Sequence, residues 1–501
     1  MLLKNYAEQK IKFPSDKTQL VIARKVARNA VYNSSATLIG NVSGLIITVF
    51  LARALGPDNF GIYSLSISIA FLVLVFTDLG INQTVIRYVS FALGKNNLPM
   101  LRGYIRELAK MKIVLMTISA FSLFTLSGHL AVYAFHDERL TIPIKIVSIF
   151  IFLYSLSGFL TGIFNGLNDF RANFIKSITY ELFRVTSIVI LVFLGYSVIG
   201  ALFGFIIATL ASICVLAILL FRNYGECIFG SIERIELRRV VRFTGYLTIG
   251  SIAWTVFAYV DSVMIGMFMS AEYVGYYRAS YSIIGAVAGI LSLPAVLFPV
   301  FVQLEGRDLE NAFNRVFKYS AMLAVPASIG LPAISKEVVL AVYGSKYLAA
   351  IPVFWVLSFL ILRSAVGFWG VIFNAKEKPE YPVRAILLGM VMNIALNYVM
   401  IPALGIVGAA IATLTSNVAV WSILAYLSKR EFGIFFSPSH ILKPVIASLI
   451  MLVFLIYATP TTILEGIAVV LVGAAIYFVS LYAVRGVGKE DLGYFLEILG
   501  R

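Results

Sequence analysis

The chain has 501 residues, 60% of them hydrophobic and only 13% charged. Soluble domains carry about a quarter charged residues, so composition excludes both a disordered chain and an ordinary soluble domain. The net charge of +15 invites a nucleic-acid reading, which the placement of the charges excludes.

The apolar runs are near 20 residues long, about the length that crosses ~30 Å of hydrocarbon as helix. They are continuous rather than alternating, which excludes a β-barrel. Fourteen spans are expected, near 31–53, 61–80, 110–134, 142–165, 172–194, 198–221, 243–268, 274–301, 317–343, 348–373, 383–402, 405–428, 442–459 and 463–484. With both termini in the cytoplasm, about 32 of the 40 Lys and Arg fall on the inner side, about 5 outside and about 3 within the membrane, as the positive-inside rule requires.

Residues 1–30 form a cytoplasmic segment carrying Lys4, Lys10, Lys12, Lys17, Arg24, Lys25 and Arg28, with no signal-peptide pattern. Its stretch 19–30 reads either as an amphipathic helix on the inner surface or as a solvated tail. Span one holds Asn33 and Asn41 and ends at Arg53; the inner end of span two carries Asp78 and Arg87. Lys95, Arg102, Arg106, Lys110 and Lys112 follow as inner charges. The longest outer loop, about 135–141, holds His136, Asp137, Glu138 and Arg139. An acid/base cluster can be argued there, but no positioning motif accompanies it. Span five carries Glu181 and Arg184, three apart and so on one helix face.

The largest charged break, 222–242, separates two lobes, 31–221 and 243–429; its Ile232–Val240 stretch reads as an amphipathic helix. Beyond it stand Asp261 in span seven, Arg278 in span eight, Arg363 in span ten, and Asn393, Asn397 and Asn417 in spans eleven and twelve. Pro294, Pro299, Pro326 and Pro332 are expected to kink spans eight and nine. Residues 430–501 hold spans thirteen and fourteen and a cytoplasmic tail. Cys214 and Cys227 are not on outer loops, so no disulfide framework is implied, and the three histidines form no metal constellation.

The lobes repeat one another. Gly61-Ile62-Tyr63-Ser64-Leu65-Ser66-Ile67-Ser68-Ile69 matches Gly275-Tyr276-Tyr277-Arg278-Ala279-Ser280-Tyr281-Ser282-Ile283. Ile163-Phe164-Asn165-Gly166 matches Ile372-Phe373-Asn374-Ala375, and Ile207-Ala208-Thr209-Leu210 matches Ile411-Ala412-Thr413-Leu414. Each lobe has six spans, so both begin on the same side: a parallel repeat, common in transporters that open to each side in turn.

Several motifs carry a family resemblance: Leu51-Ala52-Arg53-Ala54-Leu55-Gly56-Pro57-Asp58-Asn59-Phe60-Gly61-Ile62-Tyr63, Asp78-Leu79-Gly80, Asp261-Ser262-Val263-Met264-Ile265-Gly266, Val274-Gly275-Tyr276-Tyr277 and the Gly405–Thr413 run. In them the chain resembles the multidrug/oligosaccharidyl-lipid/polysaccharide exporter superfamily, and within it the polysaccharide transporter branch, O-antigen-flippase-like. The resemblance implies an all-α polytopic membrane fold with two six-helix lobes in a V around a central cavity. It also implies a flippase of the cell membrane, working by alternating access. Two extra helices resemble those of lipid II flippases, where they help form a groove for the lipid tail.

The expected cargo is a polyprenyl-diphosphate-linked oligosaccharide for cell-surface glycan assembly. Its diphosphate calls for Arg, whose fork matches phosphate oxygens. Polar groups in the membrane interior are costly and should face a cavity or each other. Substrate contacts are therefore expected at Arg184, Arg363, Glu181, Asn393 and Asn41, with a self-neutralising Glu181–Arg184 pair as the bland reading. The repeat register sets Arg184 against Asn393. Asp261 and Arg278 are expected as a salt bridge or outer gate, Asp78 and Arg87 as an inner latch. Outer tyrosines (Tyr63, Tyr259, Tyr276, Tyr277, Tyr281) read as an aromatic belt or as sugar-stacking rings. The alternative is a cation-coupled drug exporter, against which stands the lack of Asp or Glu between Val31 and Ala52. A membrane enzyme is the third reading. No cofactor, metal or nucleic acid is expected. Coupling to a proton gradient, a sodium gradient or the membrane potential remains open. The expected partners are the lipid-linked cargo, membrane lipid and glycan-assembly enzymes, with the chain as a monomer.

Overall fold

The computed structural model describes residues 16–233, 235, 237–291, 301–458, 460 and 462–488. Pro294, Pro299 and the basic residues before 16 lie outside them, as does Arg234. The described chain is helical, without strands. In order come α1 (Asp16–Asp78), α2 (Ile81–Gly94), α3 (Leu98–His129), α4 (Thr141–Gly166), α5 (Phe170–Leu191), α6 (Ser197–Tyr224) and α7 (Leu237–Phe268). Then follow α8 (Ala271–Ile290), α9 (Gly306–Ala333), α10 (Ser335–Tyr343), the broken helix α11 (Ser345–Ala375), α12 (Glu380–Phe432), α13 (Ser439–Tyr457) and α14 (Ile463–Ala483).

Ten described segments are long and apolar enough to cross a membrane. Three are too long for one crossing: Ser35–Asp78, Phe170–Cys227 and Glu380–Phe432, of 44, 58 and 53 residues. At ~1.5 Å per residue each exceeds the hydrocarbon thickness about twofold or more. Each is broken by a glycine at positive φ: Gly56 (72°), Gly195 (90°) and Gly405 (61°). A Cβ would be strained at these positions, so glycine sets the turns. At Gly56 the next residue is Pro57, whose fixed φ suits the first turn of the following helix. With those three divided and α8 added, each expected span overlaps a described helix; residues 292–300 of span eight and 459 of span thirteen lie outside the described residues, and span nine is shared by α9 and α10.

The chain divides into two compact units, residues 1–47 with 66–255 and residues 48–65 with 256–501. The first outer turn thus belongs with the second unit rather than with the lobe that sequence order assigns it to. The reason is glycine packing between the two copies of the repeat motif. A Cβ on Gly61 would lie 1.8 Å from the Ala271 carbonyl oxygen, and one on Gly275 would lie 2.2 Å from that of Pro57.

The first unit packs α2, α3, α4 and α6 around Val85, Val89, Leu108, Phe164 and Leu216. In the second, α13 and α14 close on α9 through Met322, Met451, Leu455 and Tyr477, whose hydroxyl donates to the Met322 carbonyl at 2.8 Å. Gly389 lets the two halves of α12 approach: a Cβ there would meet Val420 Cγ2 at 2.4 Å. Pro326 and Pro332 sit inside α9, which continues past both and yields to α10 after Ala333.

The charged break differs from expectation. Ile232 and Glu233 are not helical, and α7 begins only at Leu237. The segment is tied down instead: Arg102 donates to the carbonyls of Glu226 (2.9 and 2.7 Å) and Ser231 (3.0 Å), and the Glu233 N–H donates to Pro99 O. Gly103 leaves room for this, since its Cβ would meet the Glu233 carbonyl at 2.4 Å.

Candidate functional site

Two polar clusters stand inside the membrane-spanning helices, one in each unit. In the first unit, Arg184 of α5 donates through Nη2 to Glu181 Oε2 at 2.6 Å, one turn away on the same helix. Ser43 of α1 donates to the same carboxylate oxygen at 2.5 Å, and Arg184 Nη2 reaches Ser43 Oγ at 3.3 Å. The guanidinium lies over Tyr180 (5.4 Å) and Phe205 (5.5 Å). Both charged side chains are 13% exposed. Arg184 is therefore already engaged by Glu181, although its Nε finds no acceptor. Asn41, two residues before Ser43, is exposed and has no place in this cluster.

In the second unit, Asp261 of α7 is 3% exposed. Its carboxylate accepts from Tyr277 Oη (2.8 Å), Thr413 Oγ1 (2.6 Å) and Asn397 Nδ2 (2.6 Å). Asn393 Oδ1 accepts from Asn397 at 3.2 Å, while Asn393 Nδ2 and Asn397 Oδ1 stay unpartnered. All four neighbours of this carboxylate are neutral.

The expected Asp261–Arg278 salt bridge is absent. Arg278 follows Tyr277 directly, and successive helical residues point about 100° apart. With the Tyr277 hydroxyl turned to Asp261, Arg278 faces elsewhere and lies over the rings of Tyr259 and Tyr281, 5.5 Å from each. Arg363 is exposed at a break in α11. Neither Arg278 nor Arg363 has a carboxylate partner among the described residues. Asn417 donates only to the Thr413 carbonyl of its own helix.

The partner of Asp78 is Lys112, not Arg87. Lys112 Nζ lies 2.8 Å from Asp78 Oδ1, and the same oxygen caps α2 by accepting from Asn82 N–H at 3.1 Å. Lys112 is 1% exposed. Arg87 lies 6.0 Å from the centre of the Tyr88 ring. Sequence reasoning missed Lys112 by counting it with the inner charges; the signal was its position inside the apolar run from Met111 to Met116.

Of the expected outer tyrosines, Tyr63, Tyr276 and Tyr277 are buried, while Tyr259 and Tyr281 are half-buried. Tyr343 and Tyr347 are buried as well, and Tyr347 donates to the Ala52 carbonyl at 2.9 Å. Arg53 donates to the carbonyls of Ala341 and Val342, the last turn of α10, where a cation meets the negative end of the helix. In the 135–141 loop, Asp137 caps a turn and binds Arg139 at 2.8 Å. Burial raises its carboxyl pKa, but the hydrogen bonds and charge of Arg139 lower it further, leaving it below the ordinary value. It is a structural acid, which weakens the enzyme reading. An apolar groove of about 620 Å³ runs between Arg53, α10 and α14, lined by Val338, Ala341, Ile467, Val470 and Leu471. No group of three or more His, Cys, Asp or Glu able to hold a metal occurs among the described residues.

Residues 26–305 match the model of the family described as polysaccharide biosynthesis protein, more than half of the chain. The chain belongs to that family. It is 28% identical over 222 residues to the "Probable low-salt glycan biosynthesis flippase Agl15" of Haloferax volcanii, covering 43% of this chain and 47% of the relative. The lipid II flippase MurJ in its inward closed conformation superposes with a TM-score of 0.75 at 18% identity, over 90% of this chain and 98% of the other. An inward-facing multidrug resistance MATE family transporter of the MOP superfamily gives 0.63 at 13% identity, over 79% and 94%. The fold is thus the all-α polytopic membrane fold of these two structures, and the protein is a multi-pass membrane protein of the polysaccharide biosynthesis protein family.

Proposed function

We propose that this protein is a flippase that moves a polyprenyl-diphosphate-linked oligosaccharide from the cytoplasmic to the outer leaflet of the cell membrane by alternating access. The observation that carries the reading is an excess of cation without carboxylate. Arg278 and Arg363 stand in membrane helices with no acidic partner among the described residues, while Glu181 is taken up by Arg184. An unbalanced guanidinium in the membrane is costly unless an anion meets it. The diphosphate of the cargo is such an anion, and Arg presents the matching fork. Family membership and the flippase relative support the same cargo class. The apolar groove beside α14 suits the prenyl tail. Drug cations would be repelled by the same charges.

Asp261 is the coupling group in this reading. Its charge is met only by neutral donors, so uptake of a proton or a monovalent cation balances it.

The test is transbilayer movement of a fluorescent polyprenyl diphosphate oligosaccharide in proteoliposomes. Wild type should move it; Arg184→Ala and Arg363→Ala should abolish movement without loss of insertion. No movement by wild type under any imposed pH or sodium gradient would overturn the proposal.

A further inference from the structure

We infer that Lys176, Tyr180 and Arg184 form an oxyanion site along one face of α5, with Glu181 as its built-in competitor. The inference rests on the flippase reading, because the ligand it names is the diphosphate of that cargo.

The three residues are four apart in sequence, which places them in one stripe on a helix. Lys176 Nζ lies 5.7 Å from the centre of the Tyr180 ring, and Arg184 Cζ lies 5.4 Å from it. One aromatic ring therefore holds two cations, each attracted by its negative face. Tyr180 is itself set by Tyr154 of α4, edge-on at 6.4 Å.

The charges do not balance. Glu181 is paired with Arg184, and Lys176, which forms no ion pair among the described residues, is attracted by that same carboxylate. The stripe carries two positive charges and one negative. The donors are not satisfied either, since Arg184 Nε is buried without an acceptor. A site built only for stability would balance both. An anion carrying several oxygens supplies what is missing.

Gly40 and Gly44 of α1 face the pair with no side chain: a Cβ would make ordinary van der Waals contact, 3.7 Å from Glu181 Oε1 and 3.9 Å from Arg184 Nη2. When phosphate arrives, its oxygens take the Arg184 fork and the Lys176 ammonium. Glu181 gives up Arg184 and keeps the Ser43 hydroxyl, which already donates to it. Without ligand, the carboxylate returns and occupies the site.

The experiment uses the full chain in phosphatidylcholine nanodiscs and titrates geranyl diphosphate, a short soluble prenyl diphosphate. Lys176→Gln should weaken binding about tenfold, the loss of one charge-assisted contact, and Lys176→Arg should restore it. Glu181→Gln should tighten binding, because the competitor is gone. Unfolding temperatures of the variants confirm that each is folded. Unchanged affinity in Lys176→Gln, or weaker binding in Glu181→Gln, would overturn the site. Displacement of geranyl diphosphate by phosphatidylglycerol would assign the site to a membrane headgroup and overturn the cargo assignment. The two readings fail separately. Lys176-dependent binding by a wild type that moves no cargo would sink the flippase. Full-rate movement by Lys176→Gln with wild-type affinity would sink the site.

Discussion

Lys112 shows at the scale of one residue how burial decides the worth of a charge. Its ammonium is sealed in the first unit, and Asp78 is its acceptor. Removing one partner of a buried pair leaves the other uncompensated, at about 3–5 kcal/mol. Asp78→Asn should therefore cost a few kcal/mol by thermal or denaturant unfolding in detergent. Lys112→Met should cost less, since Asp78 retains 27% exposure and can be hydrated. The double variant should recover most of the loss of Asp78→Asn; a double variant that costs the sum of the two single variants would show that the two groups are not coupled. Glu181 and Arg184 were legible in sequence as a same-face pair. Ser43, which joins them from α1, was not, because the contact spans 138 positions.

Glycine governs the element scale, and its roles separate cleanly. Gly405 is at φ 61° and ψ −143°, a conformation costly for any residue with a Cβ. Gly405→Ala should destabilise by about 1–3 kcal/mol through backbone strain alone. Gly61→Ala and Gly275→Ala should do at least as much by a different cause, since the new Cβ would overlap a carbonyl. Gly285 lies in α8 with nothing within 4 Å and an ordinary φ, so Gly285→Ala should be neutral or stabilising by up to about 1 kcal/mol. Unfolding temperatures of the four variants check this order. The outer turns at Gly195 and Gly405 were readable as breaks between apolar runs. The packing of Gly61 against Ala271 was not, because it joins residues far apart in sequence. The expected helix at 232–240 begins only at Leu237: the Glu233 N–H donates to the Pro99 carbonyl, and Arg102 holds the preceding carbonyls of Glu226 and Ser231.

For the whole molecule the decisive question is what balances the charges in the membrane. Asp261 is met by Tyr277, Thr413 and Asn397, and Arg278 by two rings. Exchanging the two charges as Asp261→Arg with Arg278→Asp should therefore fail to rescue either single reversal in the transport assay. Rescue would show that the two groups meet during the cycle. Asp261→Asn should make cargo movement insensitive to imposed pH or sodium gradients while Arg363→Ala abolishes movement altogether. A gradient response that survives in Asp261→Asn would place coupling elsewhere.

Span positions, the positive-inside bias, the parallel repeat and the family motifs all came from the sequence by itself. Each is local or periodic: a run of about 20 apolar residues, a charge beside it, a motif that recurs in order. Which polar group meets which was settled only by tertiary structure. A helix shows that Tyr277 and Arg278 face different ways, but not which of them turns inward. That choice depends on α7 and α12 bringing Asp261, Asn397 and Thr413 together from positions 136 and 152 residues apart. Burial then sets the outcome, because inside the membrane an unpaired charge is costly and every polar contact is made by a neighbouring helix.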